Sequence, residues 1–451
     1  MKDPNKQDAV LISENRGLYS SNWNYIIRKP GAGSDSREII DRVADEGTRN
    51  NEFTNWFNKL RLTIRQVFLP YGYPASVSSD YLNYQIYDTI QAFCSSLTGA
   101  LATEAVMKGV GVGDEAATPL AAAVTWLLKS GSGMIGQIVF TWAQGTSLDC
   151  DCKKWRFFAD MVNDTAIFID LLTPALNPDI RVAVFCLSSV ARSLVGVAGG
   201  ATRAAITQHQ ARQNNTADVS AKDGSQETLV NLVALIASLL LLPNVSGNTG
   251  LIWTLYLLFT ALHLLANFKA LKSLQLESLN TSRLLHCLSQ FVKNETVPSI
   301  ADVNNRESLF IGVGIHDAAV TQSQYQIKPG VPFAVATGLD SDHQGNSCLL
   351  ESVEKLISSS DGKRFLIIPR PDKKIIYVVL DETIPPWELI EGYSRAFFLS
   401  YQLSTNNTSG MSSACTNQWL RFESALTSAG YSKRMALLKT EDWRATWRKQ
   451  L

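Results

Sequence analysis

Residues Thr228 to Phe268, TLVNLVALIASLLLLPNVSGNTGLIWTLYLLFTALHLLANF, decide the fold because they contain no Asp, Glu, Lys or Arg. A cluster of turn formers, Pro243 to Gly250, divides them into two apolar arms. At about 1.5 Å per residue each arm spans roughly 23 to 27 Å, slightly less than the ~30 Å hydrocarbon core of a bilayer. The stretch predicts a hairpin of two membrane-spanning helices, whose ends Lys269 and Lys272 place on the cytoplasmic side. A buried hairpin in a large soluble protein is the alternative.

Three earlier stretches also carry almost no charge. They are Thr89 to Thr103, Ala116 to Leu148 with the single charge Lys129, and Val182 to Thr202 with the single charge Arg192. We therefore predict four to six membrane-embedded helices between about residues 85 and 270. Gly196 and Gly200 stand four residues apart, a spacing that lets helix backbones approach closely in a membrane.

Arg181, Arg192 and Arg203 are spaced by eleven residues, which is close to three whole helical turns. On a continuous helix they therefore point in the same direction. Asp160 and Asp164 share a helix face upstream. In one interpretation these carboxylates pair with the arginines and fix helix packing. In the other, the arginines bind an anionic ligand such as a carboxylate, a phosphate or a lipid head group.

Between the arginine helix and the hairpin, residues 207–227 are dense in hydrogen-bonding side chains. They form either a solvated connection or the mouth of a site. The candidate ligand-binding residues are therefore Lys129, Asp160, Asp164, Arg192, Arg203, His209, Asp218 and Lys222.

Two short motifs do not carry the chemistry that their patterns suggest. Gly131-Ser132-Gly133-Met134-Ile135-Gly136 matches G-x-G-x-x-G, but the preceding residues form a helical pattern and not the strand that a dinucleotide site needs. A flexible or closely packed helical stretch is predicted there. Cys150-Asp151-Cys152 lacks a second ligand pair, so we predict no metal site.

Composition excludes several classes of protein. The 41 basic and 41 acidic residues balance, which disfavours nucleic-acid binding. The seven cysteines are scattered, unlike a secreted disulfide framework. The first residues show no signal peptide. We find no nucleophile–base pair, so we predict no enzymatic activity and no cofactor.

The predicted fold is mainly α, with a multi-helix membrane-embedded domain followed by a small soluble α+β C-terminal domain. The predicted boundaries are a polar, largely loop-like segment over residues 1–54, the helical membrane domain over 55–290 and the α+β domain over 300–451.

Within the last domain the patterns predict several elements. They are a β-hairpin of Arg364 to Pro369 and Ile375 to Leu380, a helix over Leu349 to Ile357, and a helix from Pro385 through Tyr401. Trp443 and Trp447, with basic neighbours, predict a short helix that lies on a membrane surface or docks onto the protein's own body.

Four segments resemble the Root UVB Sensitive family, and in particular a non-plant member. They are Val67-Phe68-Leu69-Pro70-Tyr71-Gly72-Tyr73-Pro74, Ser76-Val77-Ser78-Ser79-Asp80-Tyr81, Gly199-Gly200-Ala201-Thr202-Arg203-Ala204-Ala205, and Ala217 to Glu227. The resemblance covers roughly residues 55 to 290 and is looser beyond. It implies membrane association and provides no catalytic residues. Plant members of the family are implicated in root responses to ultraviolet-B, early seedling development, auxin transport and vitamin B6 homeostasis.

Two functional hypotheses follow from these patterns. The first is a non-enzymatic, integral multi-pass membrane protein, surrounded by lipid, that binds or moves a small anionic molecule or lipid. The second is a membrane-anchored interaction protein whose C-terminal domain recruits protein partners. A carrier needs Arg192 and Arg203 for function, whereas an anchor needs them only for packing.

Overall fold

The computed structural model describes residues 10–14, 23–28, 39–44, 52–110, 118–312, 325–338, 362–404 and 411–447. The chain divides into two compact units. One unit is formed by residues 1–79 and 207–230, and the other by residues 80–206 and 231–451.

The first unit begins with a three-stranded antiparallel sheet in the order β1-β2-β3. The strands are β1 (Val10–Glu14), β2 (Trp23–Arg28) and β3 (Ile39–Ala44). The prediction of a largely loop-like N-terminus is therefore wrong at these positions, because their short runs of β-formers were too weak to recognise without the pairing partners. Helix α1 (Glu52–Phe68) follows.

The second unit contains most of a series of six helices. They are α2 (Tyr81–Val110), α3 (Pro119–Gln144), α4 (Cys152–Leu172), α5 (Pro178–Gln210), α6 (Thr216–Val245) and α7 (Thr249–Ser273). The last turn of α5 and the first half of α6 belong to the first unit. Helix α5 is continuous through its glycines, as the alignment of the arginines requires.

Of the predicted turn from Pro243 to Gly250, only residues 246–248 lie between α6 and α7, because α6 continues through Pro243 to Val245. The Asn248 side chain accepts a hydrogen bond from Leu251 N at 3.1 Å and caps α7. The helices are longer than the two predicted arms, and α7 packs chiefly along α2. Small or short buried side chains, such as Ala102 on α2 and Ala270 on α7, permit this close approach.

The G-x-G-x-x-G motif lies inside the continuous helix α3 and packs against α5. A Cβ atom at Gly133 would lie 2.7 Å from Ser189 Oγ, and one at Gly136 would lie 2.9 Å from Val190 Cγ1. The prediction of a closely packed helical stretch is therefore confirmed for these two glycines. The prediction for Gly196 and Gly200 is wrong, since no atom lies within 4 Å of a Cβ built there.

Three helices of the described chain, α5, α6 and α7, are long and apolar enough to cross a membrane. Most residues in these stretches are not buried within the protein. Large apolar side chains are also exposed on α3, where Trp142 is 86% exposed. Water disfavours so large an apolar surface on a soluble monomer.

The C-terminal part of the second unit combines helices with two small sheets. Its elements are β4 (Leu279–Asn280), α8 (Thr281–Asn294), α9 (Ile300–Arg306), β5 (Gln326–Pro329), α10 (Phe333–Thr337), β6 (Phe365–Arg370), β7 (Ile375–Leu380), α11 (Pro386–Ser404), α12 (Met411–Ser428) and β8 (Ala436–Leu437). Strand β4 pairs in parallel with β8. The other sheet has the order β5-β7-β6, with β5 and β7 parallel and β6 and β7 antiparallel.

The β6–β7 hairpin and the helix after Pro385 are confirmed. The helix predicted over Leu349 to Ile357 lies outside the described residues.

The C-terminal tail is extended, so the prediction of a short helix around Trp443 and Trp447 is wrong. Trp443 N donates to Gly330 O at 3.0 Å, and Ala445 N donates to Leu380 O at 2.9 Å. Trp447 packs against the apolar cluster of the sheet. Gly330, at φ +78°, lies so close to the Glu441 carbonyl that a Cβ would clash with it. Backbone pairing with the sheet therefore outweighs the helical spacing of the two tryptophans.

Candidate functional site

Arg192 of α5 forms an ion pair with Asp170 of α4. Asp170 is fully buried, whereas 38% of the Arg192 side chain is exposed. The predicted partners of Arg192 were Asp160 and Asp164, and that pairing is wrong. Asp170 lies six residues beyond Asp164 and about 120° around α4 from it, so the carboxylate that pairs with Arg192 is on a different face of α4 from the predicted one.

Lys129 of α3 completes a group that we call the basic cluster, Lys129, Asp170 and Arg192. The charge of Lys129 interacts with those of Asp170 and Arg192. Its Nζ lies 5.2 Å from the ring centroid of Trp126 and 5.4 Å from that of Phe185. These aromatic faces stabilise an ammonium group that is partly removed from water. Two cations thus share one carboxylate, which leaves a net positive charge.

Asp160 and Asp164 belong to a different group, which lies between α2, α4 and α7. The Nδ1 atom of His263 lies 3.0 and 2.9 Å from the two carboxylate oxygens of Asp164. Asp160 interacts electrostatically with Arg156 and His263. Arg156 also donates to Asp88 Oδ1 at 3.3 Å and to the Gly199 carbonyl of α5 at 3.4 Å.

This group, which we call the polar layer, comprises Asp88, Arg156, Asp160, Asp164 and His263. Apolar clusters lie on both sides of it along the helices. One cluster contains Tyr84, Phe157 and Ala270, and the other contains Leu101, Ile167 and Tyr256. Asp160 and Asp164 fall between Phe157 and Ile167 in sequence, and His263 falls between Tyr256 and Ala270. The layer is therefore enclosed by apolar side chains above and below.

The other two arginines of the eleven-residue series differ from Arg192. The Arg181 guanidinium donates to the carbonyls of Leu176 and Pro174 and so caps the turn after α4. Arg203 is half-buried and lies about 16 Å from Arg192 by helical rise. The three arginines therefore lie on one helix but do not form a single site.

The remaining candidates, His209, Asp218 and Lys222, lie in the first unit. Asp218 Oδ2 accepts a hydrogen bond from Tyr71 N at 2.7 Å. Lys222 Nζ donates to Gln66 O at 2.5 Å, one of the carbonyls that the end of α1 leaves without a helical partner. Two of the four segments that carry the family resemblance thus bind each other. His209 is half-buried in the last turn of α5.

A third ionic group, the junction cluster, joins α4 to the C-terminal elements. Lys153 Nζ donates to Leu274 O at 2.9 Å and to Asn304 Oδ1 at 2.7 Å, and it lies 3.8 Å from Glu307. Arg283 Nη1 donates to both carboxylate oxygens of Glu307, at 3.1 and 2.8 Å. All three charged side chains are almost fully buried.

Burial and mutual charge shift the pKa values in the junction cluster. Burial lowers the pKa of Lys153 to about 8, although Glu307 opposes the shift. Burial disfavours the charged form of Glu307, but Arg283 and Lys153 reverse that effect and lower its pKa below the usual value. The cluster therefore favours an ionised Glu307.

Sequence reasoning missed Asp170, Arg156, His263 and the whole junction cluster. His263 carried a usable signal, because an ionisable side chain inside an apolar span is unusual. The junction cluster carried no such signal, since its members are far apart in sequence. Within the described residues no group of three or more His, Cys, Asp or Glu side chains is arranged to hold a metal ion.

The fold and its buried groups define a mainly helical protein with ionic groups set among long apolar helices. A family profile described as "Vitamin B6 photo-protection and homoeostasis domain" matches residues 55–295. The chain belongs to this family, which is the Root UVB Sensitive family.

Similar proteins occur in a social amoeba and in a plant. "RUS family member 1" of Dictyostelium discoideum is 45% identical over 295 residues, which cover 64% of this chain and 55% of that protein. "Protein root UVB sensitive 3" of Arabidopsis thaliana is 33% identical over 397 residues, covering 87% of this chain and 88% of that protein. "Protein root UVB sensitive 2, chloroplastic" of Arabidopsis thaliana is 27% identical and covers 54% of this chain and 55% of that protein. No solved structure matches the chain.

Proposed function

We propose that this protein is a non-enzymatic, multi-pass membrane protein that binds a small anionic molecule at the basic cluster. The observation that carries the proposal is the charge of that cluster, in which Arg192 is paired with Asp170 and Lys129 interacts electrostatically with both. A partly exposed guanidinium with a second cation in its electrostatic environment suits a phosphate or a carboxylate.

Membrane insertion is supported by the apolar surface of the helices. Helices α5, α6 and α7 have the length and composition of membrane spans, and the large side chains on α3, α6 and α7 are mostly exposed. Lipid tails would cover these side chains. Carbonate extraction of membranes from cells that express the full chain tests insertion. We expect the protein in the pellet, and its release into the supernatant would contradict the proposal.

Phosphorylated vitamin B6 is the first ligand to test, because the description of the family names this vitamin. Pyridoxine 5′-phosphate is the preferred probe, since it carries a phosphate but no aldehyde that would react with lysine amines. Binding to the purified full chain in detergent is measured by calorimetry, with uncharged pyridoxine and inorganic phosphate as comparison ligands. We expect the two phosphates to bind and pyridoxine to bind more weakly.

Variants of the basic cluster separate ligand binding from packing. Arg192→Gln removes a cation, so the affinity for pyridoxine 5′-phosphate should fall by about tenfold or more, equivalent to about 1.4 kcal/mol. Asp170→Asn removes the competing carboxylate, so the same affinity should rise severalfold. Arg181→Gln is the matched control, since it lies about 16 Å along the same helix and beyond the ~10 Å screening length.

If the Arg192–Asp170 ion pair has only a structural role, the two variants should behave differently. If Arg192→Gln and Asp170→Asn both lower thermal stability and neither changes phosphate affinity, the pair only fixes α4 against α5. That result would contradict anion binding at this cluster and would favour the membrane-anchored interaction protein.

A further inference from the structure

The polar layer carries more acidic than basic groups when His263 is neutral. Asp160 and Asp164 are buried, and Asp88 is partly buried, whereas Arg156 is the one permanent cation among the five residues of the layer. An uncompensated charge between helices is strongly unfavourable in an apolar environment. With Arg156 paired to Asp88, one proton on the layer reduces the remaining negative charge of the two buried aspartates from two to one.

The geometry offers two places for that proton. His263 Nδ1 faces both oxygens of Asp164 at 3.0 and 2.9 Å, so a protonated imidazole forms a buried ion pair there. Asp160 Oδ2 is buried and has no hydrogen-bond partner among the described residues. A protonated Asp160 carboxyl would remove its charge from the layer.

Groups on several neighbouring helices interact with this site. From α2 they are Asp88 and Cys94, from α4 Arg156, and from α7 Tyr256, whose hydroxyl donates to the Asp164 carbonyl at 2.9 Å. Helix α5 contributes the Gly199 carbonyl that Arg156 binds. Among these groups, His263 is the one whose unperturbed titration falls near neutral pH.

We propose that Asp160, Asp164 and His263 form a proton-binding site, and that the site takes up a proton when the basic cluster binds an anion. The coupling rests on the proposed function and on α4, which carries Asp164 of the proton site and Asp170 of the basic cluster about 9 Å apart along its axis. Entry of an anion adds negative charge to an environment of low polarity. Uptake of a proton nearby offsets that charge and favours binding of both.

The proton site can be tested without any ligand. Thermal unfolding of the full chain in detergent is measured between pH 5.5 and pH 7.5, below the pKa of Lys153, for the wild type, His263→Gln and the control His286→Gln, which lies on α8 outside the layer. The His263⁺–Asp164⁻ pair stabilises the fold at low pH and is lost as the pH rises. We expect the unfolding midpoint of the wild type and of His286→Gln to fall with rising pH, and that of His263→Gln to change little.

Coupling is tested by calorimetry with pyridoxine 5′-phosphate in two buffers of different ionisation enthalpy, which counts the protons taken up on binding. At pH 8, where the phosphate of the ligand is fully ionised because its second pKa is about 6, we expect uptake of up to about one proton per ligand for the wild type and His286→Gln and none for His263→Gln. Asp160→Asn serves if His263→Gln does not fold, and it should also reduce proton uptake.

The two proposals fail in different ways. Identical pH profiles for the wild type and His263→Gln would overturn the proton site. A profile that differs while pyridoxine 5′-phosphate and phosphate fail to bind would leave the proton site standing and contradict anion binding. Ligand binding without proton uptake would overturn the coupling.

Discussion

The helices from Tyr81 to Ser273 and the elements from Gln326 onward have very different surfaces. On α3, α6 and α7 exposed leucines, isoleucines and tryptophans follow one another, whereas the described residues after Gln326 expose only four large apolar side chains, Val335, Leu420, Met435 and Trp443. Both regions have buried apolar clusters of their own. The difference therefore lies in the exposed surface of each region, and it supports the proposal that lipid surrounds the first region and water the second.

The largest loss of stability should come from the junction cluster, which joins α4 of the apolar region to the elements between α7 and Gln326. Glu307→Gln leaves Arg283 and Lys153 buried without their shared counter-ion, so we expect a loss of about 3 to 5 kcal/mol in the free energy of unfolding. Thermal or denaturant unfolding of the full chain measures it. Glu295→Gln is the matched control, because its partner Arg421 and Glu295 are both exposed and surface pairs contribute about 0 to 1 kcal/mol. If Glu307→Gln and Glu295→Gln lost similar amounts of stability, buried charge would not be what holds α4 to the elements after α7.

The same variant should change the response to acid. The pKa of Glu307 is lowered in the folded protein, chiefly by Arg283 and against the effect of burial. Its stabilising contribution is therefore present above the unfolded pKa of about 4.3 and is lost as the pH falls through the lower folded value. Glu307→Gln lacks this contribution at every pH. We expect the difference in unfolding midpoint between the wild type and Glu307→Gln to shrink below about pH 4.

A smaller effect is expected when one exposed leucine in each region is replaced by lysine, which tests directly whether lipid or water surrounds that region. Leu258 on α7 and Leu420 on α12 are similarly exposed, at 51% and 56%. In lipid, Leu258→Lys should disfavour membrane integration by about 2.5 to 3.5 kcal/mol, whereas Leu420→Lys in water should change stability by less than about 0.5 kcal/mol. The fraction of full-length protein resistant to carbonate extraction measures the first, and thermal unfolding measures the second. Equal tolerance of both lysines would remove the distinction between the two regions.

Local sequence patterns predicted those parts of the fold that depend on local chemistry. The turn before Thr249, the continuous α5 and the β6–β7 hairpin follow from turn formers, apolar periodicity and β-branched residues close together in sequence. The parallel pairing of β5 with β7 joins residues far apart in the chain and was not predicted. The tail after Thr440 was predicted incorrectly, because the edge of the sheet that binds it is not visible in its own sequence.

For the candidate site, the sequence predicted individual charged residues and not the way they combine. Arg192 and Lys129 were identified because a charged side chain in an apolar span carries a large free-energy cost and therefore indicates a pairing or binding role. The partner of Arg192 was assigned incorrectly, since the sequence does not show which face of α4 packs against α5. Asp170, about 1.7 turns beyond Asp164 and on a different face of α4, is the carboxylate that lies against Arg192. His263 was considered isolated, although its span made an isolated ionisable residue improbable.

The smallest expected change in stability comes from substitutions that alter the packing of α3 against α5 within the apolar region. Gly131 and Gly136 stand five residues apart on α3, but a Cβ at Gly136 would lie 2.9 Å from both Val190 Cγ1 and Ser193 Oγ, whereas one at Gly131 would meet no atom within 4 Å.

Gly136→Ala should therefore lower the free energy of unfolding by about 1 to 3 kcal/mol through overpacking. Gly131→Ala should raise it by up to about 1 kcal/mol, because alanine loses less backbone entropy in a helix. Thermal unfolding in detergent measures both variants. A stabilising Gly136→Ala would mean that α3 and α5 do not pack as closely as described. The basic cluster would then lose its geometric basis, because the same contact between α3 and α5 places Lys129 against Phe185 of α5.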